Sequence, residues 1–214
     1  VPRRAPTTRE RYVGAILGHA VGDALGAPAE FLSPEQIAER WGVLSEMVGG
    51  GPHNAAPGET SDATQMTLCL AESLVASRGF DPEDVVRRYL DWFAGGPKDV
   101  SLTVRTALLS LRAGTSIDLA SRRAFEVLGK PSAGNGSLAR TSPIALLCRG
   151  DRESLRDYSL RESGLTHFDR MAGWVCAAYN EIVAAALGGR LRSTLLSVAN
   201  SLDEEDARVS APLR

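Results

Sequence analysis

The stretch GETSDATQM, residues 58 to 66, follows a glycine- and proline-rich loop and precedes an apolar run. Its side-chain oxygens come from Glu59, Thr60, Ser61, Asp62, Thr64 and Gln65. Hydroxyl and carboxylate oxygens gathered at a helix start suit a hard cation such as Mg²⁺. The same residues also read as a helix start alone. Asp62 is a good N-cap, and Gln65 stands where it completes a capping box. Capping does not account for the extra serine and threonines.

Three further stretches carry chemistry. In GHAVGDALGAPAEF, Asp23 stands near the end of a glycine-punctuated helix and Glu30 just beyond it. Asp23 reads equally as a buried acid bonded to neighbouring backbone and as a site residue. Pro28, Ala29 and Phe31 suggest that Glu30 is partly buried, unlike an ordinary loop glutamate. In GKPSAGNGSLARTSP, residues Gly134, Asn135, Gly136 and Ser137 offer unhindered backbone N–H groups ahead of a helix. That arrangement cradles phosphate, although Asn-Gly is also an ordinary turn. Arg140 there can meet an anion or a protein carboxylate. In GLTHFD, His167 stands at an expected helix start, where capping or packing is the commoner role.

The elements that must position these residues read as helices almost throughout. Apolar residues from about 9 to 27 share one side, and Gly14, Gly18, Gly22 and Gly26 recur every fourth position. Glycine costs about 1 kcal/mol against alanine in a helix, so four in register predict a buried central helix with a closely approaching partner. Ser33-Pro34-Glu35-Gln36 is a capping box with proline at the first helical position. Further starts fall at Asp62, Asp81-Pro82, Ser101, Ser116 or Asp118, Pro143, Asp151, and Thr166 or Asp169. Stops fall at Gly95-Gly96, Gly129 and Gly188-Gly189, and a weaker helix is expected over roughly 190 to 202. No alternating strand stands out. The expectation is one compact, orthogonal, all-α multi-helix domain over residues 1–214, with 1–8 flexible. The long loops at 49 to 61 and 129 to 141 are the exceptions, and such loops often carry function.

Composition narrows the function classes. The net charge is -2 and there is no long basic run, which argues against a nucleic-acid partner. No apolar stretch approaches membrane-spanning length. The basic N-terminus VPRRAPTTRER is not followed by a signal-like apolar core. Cys69, Cys148 and Cys176 are widely spaced within apolar runs and read as reduced core cysteines of a cytoplasmic protein.

Taken in order, these stretches resemble the ADP-ribosylglycohydrolase family, which includes the dinitrogenase reductase-activating glycohydrolases. The family's opening G-x-x-x-G-D-x-x-G-x-x-x-E falls on Gly18, Gly22-Asp23, Gly26 and Glu30. Its T-D-D-T-x-M motif falls on Ser61 to Met66, its G-N-G-x-x-x-R on Gly134 to Arg140, and its T-H pair on Thr166-His167. The resemblance covers about residues 10 to 190. It implies hydrolysis of the glycosidic bond between ADP-ribose and an acceptor, often arginine, with two Mg²⁺ or Mn²⁺ ions. It also implies roles. Glu30 and Asp62 are the catalytic candidates, and Ser61 and Asp62 are metal ligands. Asp23, Gly134, Asn135, Gly136, Ser137 and His167 bind substrate, the glycine-rich loop lining the diphosphate.

Two departures stand out. Ser61 stands for the family's first threonine and keeps the hydroxyl, while Ala63 replaces its second aspartate and cannot bind a metal. The family's later ligand cluster, G-x-D-T-D, has no counterpart here, and the acids from Asp203 to Asp206 are no substitute. Three expectations follow. One is a glycohydrolase of ADP-ribosylated protein or a related small ADP-ribose-type substrate, diverged in its metal site. Another is a catalytically impaired nucleotide-sugar binding protein. The third is a shortened or altered version of an active enzyme.

Overall fold

The computed structural model describes residues 4–129 and 134–189. The expected helix over 190 to 202 and the acids from Asp203 to Asp206 lie outside these residues, as do 1–3 and 130–133. The described residues form ten α-helices and no strand, so the all-α expectation holds among them. Among these residues no helix is long and apolar enough to cross a membrane. The chain falls into two compact units. One takes in the described residues up to Gln65 together with Pro97–Asp99, and the other Met66–Gly96 and the described residues from Val100 onward.

In the first unit, α1 (Thr8–Gly26) starts at a capping box the sequence reading did not single out. Thr7 caps the backbone N–H of Glu10, and Glu10 bonds back to Thr7 and to Arg4. A single 3-10 turn follows, Ala27–Ala29, and then α2 (Pro34–Trp41), capped by Ser33 and Gln36 as its sequence predicts. The loop beyond α2 folds back on itself. Gly50 and Ala55 exchange two backbone hydrogen bonds, at 2.7 and 2.9 Å, across a turn closed by the Asn54 N–H on the Gly51 carbonyl. Two glycines make this possible. A Cβ on Gly49 would stand 2.6 Å from the Ala55 carbonyl oxygen, and one on Gly51 2.5 Å from that of Ala27. Both also have positive φ, which glycine adopts without steric cost. Helix α3 (Asp62–Ser77) begins in this unit.

In the second unit, α4 (Pro82–Ala94), α5 (Leu102–Arg112) and α6 (Ile117–Leu128) pack on one another. The short helices α7 (Gly136–Arg140) and α8 (Pro143–Leu147) lie against α10 (Arg170–Leu187), which pairs along its length with α9 (Arg152–Gly164). The core holds Met66, Leu70, Val85, Tyr89, Leu108 and Ile144, all almost inaccessible to solvent. Asp81, Ser101, Asp151 and Asp169 cap α4, α5, α9 and α10 through their side chains. Cys148 and Cys176 are buried, Cys69 is half-buried, and all are free thiols.

The glycine-striped helix corrects an expectation. Gly14, Gly18, Gly22 and Gly26 are exposed, and among the described residues nothing lies within 4 Å of a Cβ built on any of them. Val13, Leu17 and Val21 on the same helix are also about half exposed. A glycine period permits close approach but supplies no partner. The close approach occurs at Gly173 of α10, where a Cβ would stand 3.1 Å from Leu160 Cδ2 of α9.

Candidate functional site

The start of α3 is organised by a residue from α1. Asp23 Oδ1 accepts the Ser61 hydroxyl at 2.6 Å. Its Oδ2 accepts the Ser61 N–H at 3.0 Å, the Thr64 N–H at 3.2 Å and the Thr64 hydroxyl at 2.6 Å. The first N–H groups of a helix lack intrahelical partners, and Asp23 satisfies one of them from a distant point in the chain. The cap falls one residue earlier than the sequence predicts, at Ser61, whose hydroxyl oxygen accepts the Ala63 N–H at 3.2 Å. Asp62 is the first helical residue, not the cap, and the Gln65 amide donates to the Thr60 carbonyl instead. Asp23 is thereby committed to holding Ser61 and Thr64 in place.

A pocket in this unit is lined by Glu30, His53, Ser61, Asp62, Gln65 and Asp99. It brings together three residues expected from the sequence, Glu30, Ser61 and Asp62, with two that were missed. Glu30 follows the 3-10 turn directly, and its side chain is 37% exposed. Phe31 does not shield it. That ring is 83% exposed on a backbone with φ of 64°, a conformation bulky residues rarely adopt. His53 sits in the turn between Gly51 and Asn54, with Nε2 3.2 Å from Glu30 Oε2 and 3.4 Å from Asp99 Oδ1. Burial and then the neighbouring Asp99 charge raise the Glu30 pKa, and His53 partly offsets this. The sequence signal for His53 was slight: a histidine in a turn-forming Gly-Pro context. Asp99, beside Lys98 on a short connection, carried none. Lys98 itself pairs with Glu59 at 2.7 Å.

The metal-ligand expectation meets a limited donor set. At the α3 start the residues lining this pocket offer the carboxylates of Glu59, already paired with Lys98, and Asp62, and the hydroxyls of Thr60 and Ser61. The Ser61 hydroxyl already donates to Asp23 and accepts from the Ala63 N–H. Two divalent ions held close together need several carboxylates, with about six oxygen ligands per Mg²⁺. The α3 start does not fit a dinuclear centre. It suits at most one ion completed largely by water.

The second unit holds the glycine-rich stretch and His167. A Cβ on Gly134 would stand 3.7 Å from His167 Nε2, and one on Gly136 3.5 Å from it. The ring therefore faces bare backbone. His167 is only 2% exposed, and its Nε2 has no hydrogen-bond partner among the described residues. Its Nδ1 lies 2.8 Å from Thr166 Oγ1, which accepts from Arg140 Nη2 at 2.8 Å. With Arg140 donating, the Thr166 hydroxyl can give its own proton to Nδ1, and the ring proton then sits on Nε2. Burial, helped by the Arg140 charge, lowers the His167 pKa to about 3. The ring is thus a neutral donor aimed at the glycine loop.

The neighbours of this loop are structural. Arg140 is fully buried and donates from Nε to Glu162 Oε1 at 2.6 Å, an oxygen that also accepts the Tyr89 hydroxyl at 2.8 Å. Of the two readings of Arg140, the protein carboxylate is the one realised. Ser137 is fully buried, with its hydroxyl oxygen accepting from Ser163 at 2.9 Å. Asn135 occupies the cap position of α7 without a side-chain capping bond.

These arrangements can be set beside known proteins. The family model for ADP-ribosylglycohydrolase matches residues 4–213. The chain belongs to the ADP-ribosylglycohydrolase family. It is 33% identical over 198 residues to the ADP-ribosyl-[dinitrogen reductase] glycohydrolase of Rhodospirillum rubrum, covering 92% of this chain and 65% of that protein. It is 32% identical to the ADP-ribosylarginine hydrolase Tri1 of Pseudomonas putida, over 89% of this chain and 50% of the relative. A solved structure described as an ADP-ribosylglycohydrolase-related protein complex superposes with a TM-score of 0.71 at 36% identity, covering 89% of this chain and 61% of the other. The chain thus spans between half and two thirds of the length of these ADP-ribosylglycohydrolase relatives.

Proposed function

We propose that this chain serves in hydrolysis of the glycosidic bond that joins ADP-ribose to a protein acceptor or to a related small leaving group. The observation that carries the reading is the acid pocket of the first unit, in which Glu30 is drawn towards its protonated form beside Asp99. A glycosidase needs one carboxyl able to give a proton to the leaving group and another group that stabilises the oxocarbenium-like transition state. Glu30 fits the first role. As the bond from the anomeric carbon to nitrogen or oxygen breaks, its proton goes to the departing atom. Water then adds to the anomeric carbon and returns a proton to Glu30. The Asp62 and Asp99 carboxylates supply negative charge in the same pocket. A divalent ion bound at Ser61 and Asp62 would orient sugar hydroxyls.

In the second unit, the backbone of Gly134, Asn135, Gly136 and Ser137 and the Nε2–H of His167 suit the diphosphate of the same class of substrate. The neutral ring gives a hydrogen bond without a full charge, which suits holding a ligand in place. The names of the relatives, an ADP-ribosylarginine hydrolase among them, support arginine as the acceptor.

The test is release of ADP-ribose from an ADP-ribosylated arginine substrate by the purified protein. Turnover that collapses in Glu30→Gln supports the reading. A second reading rests on Ala63 and the small donor set beside it: a protein that binds an ADP-ribose-type ligand without cleaving it. Calorimetric binding of ADP-ribose in the absence of metal, with no release from the arginine substrate across a Mg²⁺ and Mn²⁺ series, would select that alternative.

A further inference from the structure

Three side chains of the first unit converge on one point in the pocket that Ser61 and Asp62 also line. His53 Nε2 is shut off from solvent and, among the described residues, is aligned for a hydrogen bond with nothing, although carboxylate oxygens of Glu30 and Asp99 lie 3.2 and 3.4 Å from it. The three ligand atoms all lie within 4.8 Å of one another. We propose that Glu30, His53 and Asp99 form a binding site for a single divalent cation of the zinc class, distinct from the hydroxyl and carboxylate pair at the start of α3.

The distances suit that occupant. Two ligands each about 2.1 Å from a zinc ion, at a tetrahedral angle, are about 3.4 Å apart. The two nitrogen-to-oxygen separations match that edge. An imidazole ligand selects for zinc, cobalt, nickel or copper over Mg²⁺ and Ca²⁺, which prefer oxygen alone. Two carboxylates and a neutral imidazole carry two negative charges, which one such ion neutralises, relieving the repulsion between Glu30 and Asp99. All three side chains are partly exposed, at 37%, 31% and 17% for Glu30, His53 and Asp99.

The backbone that presents His53 is set before any ion arrives. The Gly50–Ala55 bridge closes the turn, and Gly51 lets it seat against the Ala27 carbonyl, next to the segment that carries Glu30. The site does not depend on the glycosidic reaction. An ion seated here would engage Glu30 and so withdraw the proton donor of the proposed chemistry.

Cobalt(II) titration of the chelator-treated protein tests this, followed by visible absorption and by calorimetry with Zn²⁺. The wild-type protein is expected to take up one Co²⁺ with d–d bands of nitrogen and oxygen ligation and no thiolate charge-transfer band. His53→Gln, on an exposed turn and checked for folding by circular dichroism, should weaken binding by at least about ten-fold, the loss that removal of even an outer-shell partner can bring. Asp99→Asn should do the same, whereas the double variant Ser61→Ala, Asp62→Asn should keep the bands. Excess Mg²⁺ should leave them in place. The proposal is overturned by absence of Co²⁺ or Zn²⁺ binding, by unchanged affinity in His53→Gln and Asp99→Asn, by loss of the bands in the Ser61 and Asp62 variant, or by their displacement with Mg²⁺.

Discussion

Asp23 and Ser61, thirty-eight residues apart in sequence, are joined by two hydrogen bonds, one from the Ser61 hydroxyl at 2.6 Å and one from its backbone N–H at 3.0 Å. With the two further bonds from Thr64, one carboxylate fixes the segment that presents Asp62 to the pocket. Asp23→Ala should cost roughly 1–3 kcal/mol, the range for stranding donors that had been bonded to a charged acceptor. Asp23→Asn should cost less but still measurably, because its amide nitrogen would oppose one of the donors. Urea denaturation of both variants measures this. A neutral result for Asp23→Ala would mean that water replaces the carboxylate.

Glu30 offers a separation of activity from stability. Its carboxyl is raised on folding, so the folded protein holds that proton more tightly than the unfolded chain. The associated stability is present below the unfolded value and is lost as pH rises through the raised one. Above the raised value the ionised Glu30 is therefore a small burden on the fold. Glu30→Gln should leave the thermal midpoint at pH 7 unchanged or slightly higher while abolishing ADP-ribose release. The wild-type rate should fall as pH rises past the raised Glu30 value. A variant that loses both stability and activity would mark Glu30 as structural.

His167 should act as an uncharged donor across the working range. With a pKa lowered to about 3, it stays neutral through roughly pH 5 to 8, and its share of ligand affinity should not vary there. Its burial has a cost in acid. The unfolded chain takes up the proton near 6.5 and the folded one only near 3, so stability contributed by neutral His167 falls as pH drops between them. His167→Gln should flatten that part of the pH–stability curve. Gly134→Leu should block the ring nitrogen and weaken ADP-ribose binding by calorimetry without a matching loss of stability, since Gly134 is exposed.

The glycines divide by what surrounds them. Gly18→Ala and Gly22→Ala in α1 should stabilise by about 0.5–1 kcal/mol, because alanine is the better helix former and nothing described crowds the added methyl. Gly173→Leu should destabilise by roughly 1–3 kcal/mol, because Leu160 occupies the space. Thermal melts of the three variants decide between packing and propensity.

What the sequence made legible follows the range of the interactions. Ser33 with Gln36, and the caps at Asp81, Ser101 and Asp151, are bonds between near neighbours, and spacing alone marks them. Glu30, Ser61 and Asp62 emerged through their motifs and line one pocket. The local capping box at Asp62 was misplaced because a competing acceptor, Asp23, arrives from another helix. His53 and Asp99 stayed hidden because the backbone bridge that carries His53 towards Glu30 depends on close approaches at Gly49 and Gly51, which composition does not reveal. The glycine stripe of α1 was read as buried because periodicity states what a face would tolerate, and says nothing of whether a neighbour lies there.

Ala63 is the last point at issue. It is the second residue of α3, and its N–H is 3.2 Å from the Ser61 hydroxyl oxygen. Ala63→Asp would return the family's aspartate and would suit a helix N-terminus, where negative charge is favoured by about 0.3–1 kcal/mol. Stability should therefore change little. Metal binding is a different matter. The new carboxylate would stand beside Asp62, and two like charges repel unless a cation neutralises them. Ser61, Asp62 and the added aspartate would supply one side of an ion only, and water would supply the other. The expected outcome is weak binding of at most one Mg²⁺ or Mn²⁺ and no large gain in release of ADP-ribose. A turnover assay of Ala63→Asp across a Mg²⁺ and Mn²⁺ series checks it. A rise of several orders of magnitude over the parent would show that further ligands reach this helix start from residues outside those described, or from another subunit.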